Sequence, residues 1–172
     1  MRVVINPGHF IGKDPGACGK FSNEAEIVKY VANVVCRDLE AAGLNPVLIT
    51  SDSLKEICQL SNEVNADLFV SIHCNAAANK VAKGTETFYY VGSSASKKLA
   101  TCIQNELVKT MGSLDRGIKD GNWLYVLRGT SMPAVLTELG FISNADEEIY
   151  LNSHKQVMAH AISRAIIEYT SK

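Results

Sequence analysis

The sequence predicts a single α/β domain spanning residues 1–172, built on a mainly parallel (mixed), twisted sheet of about six strands with helices on both faces. Three observations predict it. Short apolar runs alternate with longer stretches of helical periodicity along the whole chain, the pattern of a sheet covered by helices. One run, Leu68–Ile72, is apolar nearly throughout, as a central strand buried on both faces should be. The 172 residues hold no internal repeat, low-complexity tract or linker, and their number suits one domain.

The elements follow in order. Arg2–Ile5 reads as a short buried strand. Glu24–Ala42 reads as a helix, because Ile27, Val31, Val34 and Val35 fall on one face and Gly43 suits the residue that ends it. Pro46–Thr50 is a second strand, centred on Val47, Leu48 and Ile49. Ser51 to Asn65 is helical, with Ser51, Asp52 or Ser53 available as its cap. Leu68–Ile72 is the third strand, and Thr85–Val91, rich in Thr, Phe, Tyr and Val, the fourth. Ser94–Met111 is a helix closed by Gly112. Trp123–Leu127 and Ala134–Thr137 read as the fifth and sixth strands. Glu147 to Tyr169 reads as one closing helix, with an apolar stripe of Met158, Ile162, Ala165, Ile166 and Tyr169.

Composition excludes several function classes. With 47% hydrophobic residues the chain can bury a substantial core. Its 17 basic and 18 acidic residues form no basic stripe, so neither a nucleic-acid partner nor attraction to an anionic membrane is expected. No apolar run approaches the roughly 20 residues that span a bilayer. Met1-Arg2, a short apolar run and Asn6-Pro7-Gly8 read as a strand and a turn rather than a signal peptide, which predicts synthesis as a cytosolic protein. Five cysteines, an odd number without CxxC spacing, predict reduced thiols.

In such a sheet, ligands bind beyond the carboxyl ends of the strands. The first strand leads through Asn6-Pro7-Gly8 to His9, the third runs into His73, and the sixth runs into Glu138. Glu24 opens the first helix, whose N-terminus faces the same edge. Two imidazoles and a carboxylate suit zinc, which at catalytic sites takes three protein ligands and leaves a fourth position open. A second carboxylate outside the ligand set can then act as general base toward a water whose pKa zinc lowers to about 7.

Taken singly, each residue has a blander explanation. A histidine after a strand is commonly a loop residue, and a glutamate early in a helix commonly serves the helix dipole. Glu138 is harder to set aside, because it ends an apolar run where a carboxylate would be buried and need a partner. Convergence of all four on one edge points to a zinc hydrolase. Other candidates carry less. Cys74 points to the opposite strand face from His73, and His154 and His160 lie in the last helix. Gly8, Gly12, Gly16 and Gly19 match neither GxxxxGK[ST] nor GxGxxG, which counts against a nucleotide- or flavin-binding domain.

Four segments resemble a known family in order and spacing: Asn6-Pro7-Gly8-His9, Asn23-Glu24-Ala25, Ser71-Ile72-His73-Cys74-Asn75-Ala76, and Pro133 through Glu138-Leu139-Gly140-Phe141 to Asn144. Together they resemble the zinc-dependent N-acetylmuramoyl-L-alanine amidases, cell-wall hydrolases of bacteria (autolysins) and of phages (endolysins). The resemblance implies His9, Glu24 and His73 as zinc ligands and Glu138 as the catalytic glutamate. Glu26 is the alternative ligand if the register of that segment shifts. It implies peptidoglycan as substrate and Zn²⁺ as cofactor, with cleavage of the amide between N-acetylmuramic acid and L-alanine. Asn75 and Arg116 are implied near the substrate. The expected place of action is the cell wall, reached after host lysis or by export as part of a longer protein, and a separate wall-binding domain would lie outside this chain. A module that binds the wall without cutting it, or a peptidase cutting inside the stem peptide, are rival readings. Departures from the family pattern stand at Asn6, Phe10-Ile11-Gly12, Ile57 and Cys74.

Overall fold

The apolar runs become strands because each lies between two layers of helix. The computed structural model describes residues 1–171. Strand β1 (Arg2–Pro7) is followed by helix α1 (Glu24–Ala41), strand β2 (Asn45–Leu48), helix α2 (Leu54–Glu63) and strand β3 (Leu68–Asn75). Strand β4 (Thr85–Tyr89), helix α3 (Ser94–Met111), strand β5 (Asp115–Asp120), the short helix α4 (Tyr125–Gly129) and strand β6 (Ala134–Phe141) come next. Helices α5 (Ala145–Ser153) and α6 (Lys155–Thr170) close the chain.

The six strands form one sheet in the order β2-β1-β3-β6-β4-β5. All neighbours are parallel except β4, which runs antiparallel to β6. Alternate residues of the central strands feed two cores. Val3, Ile5, Val70, Ile72 and Val135 join α1, α3 and α6 on one face. Val4, Phe69, Ala134 and Leu136 join Ile57 of α2 and Val126 and Leu127 of α4 on the other. Full burial of each such aliphatic side chain contributes on the order of 1.5–3 kcal/mol, which sets the register of every strand. Asn23 caps α1 and Ser53 caps α2 through side-chain oxygens that accept from backbone N–H groups. None of the five cysteines is in a disulfide. Among the described residues, no helix is long and apolar enough to cross a membrane.

The structure departs from expectation in three places. The fifth strand is Asp115–Asp120, and part of the segment expected as a strand, Trp123–Leu127, begins helix α4 instead. β5 pairs only with β4, has no fully buried residue, and carries Gly117 at φ 76 beside a register shift. An edge strand of this kind needs no apolar alternation, so its polar sequence hid it. The closing helix is two helices, separated at His154, whose ring stacks on Tyr150 at 4.0 Å. It begins earlier than expected because Asn144 caps it, accepting from the amides of Asp146 and Glu147. Finally, β3 and β6 continue past Ile72 and Thr137, so His73 and Glu138 are strand residues rather than the first residues beyond a strand.

Candidate metal centre

Chain direction brings the chemistry to one edge. The carboxyl ends of β1 and β3 and the N-terminus of α1 meet there, and His9, Glu24 and His73 converge. One donor atom from each lies within 4.8 Å of the others. Glu24 is 3% exposed and bridges the two rings, its Oε2 3.0 Å from His9 Nε2 and its Oε1 2.9 Å from His73 Nδ1. The same carboxylate accepts from the amides of Ala17 and Cys74, each at 2.9 Å. His9 Nδ1 lies 2.7 Å from Asp14 Oδ2, which turns Nε2 toward the centre, the usual arrangement behind a metal-binding histidine. Glu26, two residues from Glu24, is exposed and outside the cluster.

The glycines of the first loop acquire a reason here. A Cβ on Gly16 would sit 2.5 Å from His9 Cδ2 and 2.7 Å from Glu24 Oε2, and one on Gly8 would overlap the His73 ring. They make room for imidazoles, not phosphates. His9 itself adopts φ 65, a left-handed conformation that costs a non-glycine residue free energy and is held by its surroundings.

Glu138 lies beside this cluster as the register partner of His73 across the β3–β6 pair. Its Oε2 is buried without a hydrogen-bond partner. Burial pushes its carboxyl up to about 7, opposed by the positive charge of His73 and assisted by the negative charge of Glu24. Glu24 is held well below the usual carboxylate range: burial pushes it up, but hydrogen bonds with His73 and His9 outweigh that. The hydrogen bond with Glu24 raises His9 to about 9, against its burial. Two carboxyl groups in one site are thus driven apart, one a fixed anion and one poised to exchange a proton near neutrality, the condition for general acid/base work.

Asn75 and Arg116, expected near the substrate, meet on a residue that sequence reasoning missed. Glu86, 4% exposed on β4, accepts from Asn75 Nδ2 at 2.8 Å, Arg116 Nε at 2.5 Å and Lys119 Nζ at 2.6 Å. Burial raises its carboxyl, but bonds from Lys119 and Arg116 bring it below its ordinary value. The Arg116 guanidinium lies over the Phe141 ring at 4.8 Å. The available signal was a glutamate inside the run Thr85-Glu86-Thr87-Phe88, where a strand would bury it.

Glu148 of α5 was also missed. Buried, it accepts from the amides of Lys20, Phe21 and Ser22 at 2.8, 2.6 and 2.9 Å, pinning the loop that leads into α1. Its partners lie 126 to 128 residues away, a separation no local pattern reveals. His160 pairs with Asp38 at 2.6 Å and ties α6 to α1, outside the site.

A cavity of about 340 Å³ opens over His9 and His73, walled by Leu54, Ile57, Tyr125 and Leu136. A roomier cavity of about 480 Å³ lies beneath α3 and α5 among Met111, Leu139 and Tyr150. It contains neither histidine nor Glu138, so size does not mark the chemistry here.

A family model described as N-acetylmuramoyl-L-alanine amidase matches residues 3–168. The chain is 39% identical to the uncharacterized protein YqiI of Bacillus subtilis, over 97% of this chain and 84% of that protein. It is 37% identical to the N-acetylmuramoyl-L-alanine amidase LytC of Bacillus subtilis over 97% of this chain, and spans 35% of that protein's length. It is 40% identical to the endolysin of Bacillus phage SPP1, over 87% of this chain and 58% of the endolysin. Among solved structures, an N-acetylmuramoyl-L-alanine amidase from Clostridium difficile 630 superposes with a TM-score of 0.93 at 34% identity, over 99% of this chain and 97% of the other. The catalytic domain of CwlV, an amidase from Bacillus (Paenibacillus) polymyxa var. colistinus, gives 0.91 at 37% identity, over 99% and 98%.

Proposed function

The chain belongs to the N-acetylmuramoyl-L-alanine amidase family, and from that premise we propose that it hydrolyses the amide between N-acetylmuramic acid and the L-alanine of the peptidoglycan stem, with zinc held by His9, Glu24 and His73. The observation that carries the reading is the division between two carboxyl groups. Glu24 is bonded to both histidines, whereas Glu138 lies beside them half-buried, its Oε2 buried without a partner.

The donor set fits the ion. Two imidazole nitrogens and a carboxylate oxygen are a common zinc complement, and Asp14 behind His9 supplies the outer support such ligands require. Bound there, zinc supplies Lewis-acid chemistry, which polarises an amide carbonyl and makes water a better nucleophile. The chain's own residues do the rest. Glu138 takes a proton from the attacking water and carries it to the departing alanine nitrogen. Its buried setting keeps its affinity for that proton high enough for both steps. Leu54, Ile57 and Tyr125 wall the cleft and limit competing solvent. Asn75 and Arg116 approach the substrate from the Glu86 side.

Mass analysis of muropeptides released from purified peptidoglycan tests the reading. New amino termini on L-alanine and free lactyl carboxylates on the glycan are expected. Cuts confined to the stem peptide would instead identify a peptidase, and binding without release a wall-binding module.

A further inference from the structure

We propose that Arg116 and Lys119, braced by Glu86, select substrates that carry a free carboxylate close to the cut bond on the stem-peptide side. This rests on the amidase reading and adds a chemical preference to it.

Three residues form one rung across the sheet. His73 on β3 is the register partner of Glu138 on β6, and Glu138 is the register partner of Glu86 on β4. Their neighbours Thr85 and Thr87 bond to Gln104 of α3. Glu86 therefore faces away from α3, as alternation along the strand requires. Beyond it, on edge strand β5, come the two cations. Both bond to the same oxygen of Glu86, Oε2, while Oε1 is taken by Asn75. One carboxylate thus faces two cations, so the pair is not neutralised by Glu86 alone. The two acids of β5 flank the cations: Asp115 accepts from Gln104 at 2.7 Å on the other side of the strand, and Asp120 accepts from the Asn122 amide at 2.8 Å in the turn that follows.

The cation pair is reachable. The side chains of Arg116 and Lys119 are 32% and 37% exposed, and Lys119 has further N–H donors beyond its bond to Glu86. Distance sets the class of ligand. Strands are spaced about 4.8 Å, and β4 and β5 lie one and two strands past β6, so the cations lie roughly 7–12 Å from a carbonyl held between His73 and Glu138. An extended peptide advances about 3.3–3.6 Å per residue. The group recognised is therefore two or three residues past the cut, and the second residue is the nearer of these. The opposite wall combines Leu54, Ile57 and Tyr125 with the acids Asp14 and Asp52, and Lys13 is paired with Asp52, so it offers a carboxylate no uncommitted cation.

The test uses two N-acetylmuramoyl dipeptides, identical except that the second residue bears a free carboxylate in one and a carboxamide in the other. Binding is measured by calorimetry with the zinc-loaded Glu138→Gln protein, and kcat/KM with the unmodified protein. The carboxylate form should be favoured about tenfold in both, the scale of a charge-assisted hydrogen bond at a partly exposed site. Arg116→Gln and Lys119→Gln should each draw the ratio toward one, Lys119→Arg should retain it, and high salt should shrink it. A fold defect would weaken both dipeptides together and leave their ratio unchanged. Equal binding of the two dipeptides by the unmodified site, or a ratio indifferent to both glutamine substitutions, overturns the proposal. Preferential binding with neither dipeptide cleaved would uphold it and overturn the amidase reading instead.

Discussion

His73 and Glu138 face one another across the parallel pair β3–β6, so the proposed metal-ligating nitrogen and the proposed proton carrier occupy the same rung of the ladder. Their separation is fixed by strand spacing rather than by loop conformation. Sites carried on sheet strands hold such geometry more tightly than sites carried on loops.

From this placement, Glu138→Gln should preserve fold and zinc content while reducing cell-wall hydrolysis by about a hundred- to ten-thousandfold, the usual cost of losing a general acid/base. Metal analysis of the purified variant, together with muropeptide release, checks both halves. Activity close to that of the unmodified protein would remove Glu138 from its role. Thermal stability should not fall, because the substitution replaces a buried carboxyl that has no partner at Oε2.

Zinc affinity should climb with pH well beyond the range of an ordinary histidine. His9 holds its proton to about 9 in the metal-free protein, chiefly through its bond with Glu24. Zinc must displace that proton, so apparent affinity rises until the pH passes about 9, whereas an unperturbed imidazole would level off near 6.5. Calorimetry in buffers of different ionisation enthalpy would count the protons released. A plateau already reached at pH 7 would contradict the expectation.

The two loop glycines 12 and 16 should respond differently to alanine. Both have positive φ, so each substitution should cost about 1–2 kcal/mol of stability. Gly12 has open space around it, but a Cβ on Gly16 meets His9 and Glu24. Gly16→Ala should therefore also lose zinc, and Gly12→Ala should not. Equilibrium dialysis on the two variants separates these outcomes.

Glu148→Gln should destabilise the protein by about 1–3 kcal/mol at neutral pH through loss of charge-assisted bonds to the 20–22 loop. Burial pushes the Glu148 carboxyl up, but the amides of Phe21 and Lys20 outweigh it and its pKa is lowered. A lowered folded pKa means stability present above the unfolded value, about 4.3, and lost as pH falls through the folded one. The gap between variant and parent should hence narrow in acid, which denaturation curves near pH 7 and pH 3 would show.

The strands that bear the ligands were legible because the central sheet is apolar and buried on both faces, and because polar residues then stand out at its carboxyl edge. His9, His73 and Glu138 all announced themselves this way. Glu24 was set apart from Glu26 in the sequence only by the register of the resembling segment, since both lie in the first turn of the helix; burial and the bonds to His9 and His73 separate them in the structure. Strand β5 was not legible, because an edge strand can be polar throughout. Glu86 showed only as a glutamate inside a strand run, without its partners, and Glu148 was not legible because its partners lie 126 to 128 residues away.

The single antiparallel strand of the sheet has a consequence for how such a protein can vary. Because β4 is reversed against β6, residues 84–120 reach the site as a local β4–α3–β5 unit laid against β6, while the proposed metal donors come wholly from the first 73 residues. On the proposed reading, recognition and metal binding thus occupy separate stretches of chain. Under these proposed roles, substitutions in residues 84–120 would retune which wall a descendant attacks while leaving the metal donors untouched, so one lineage could diversify its targets without rebuilding its chemistry.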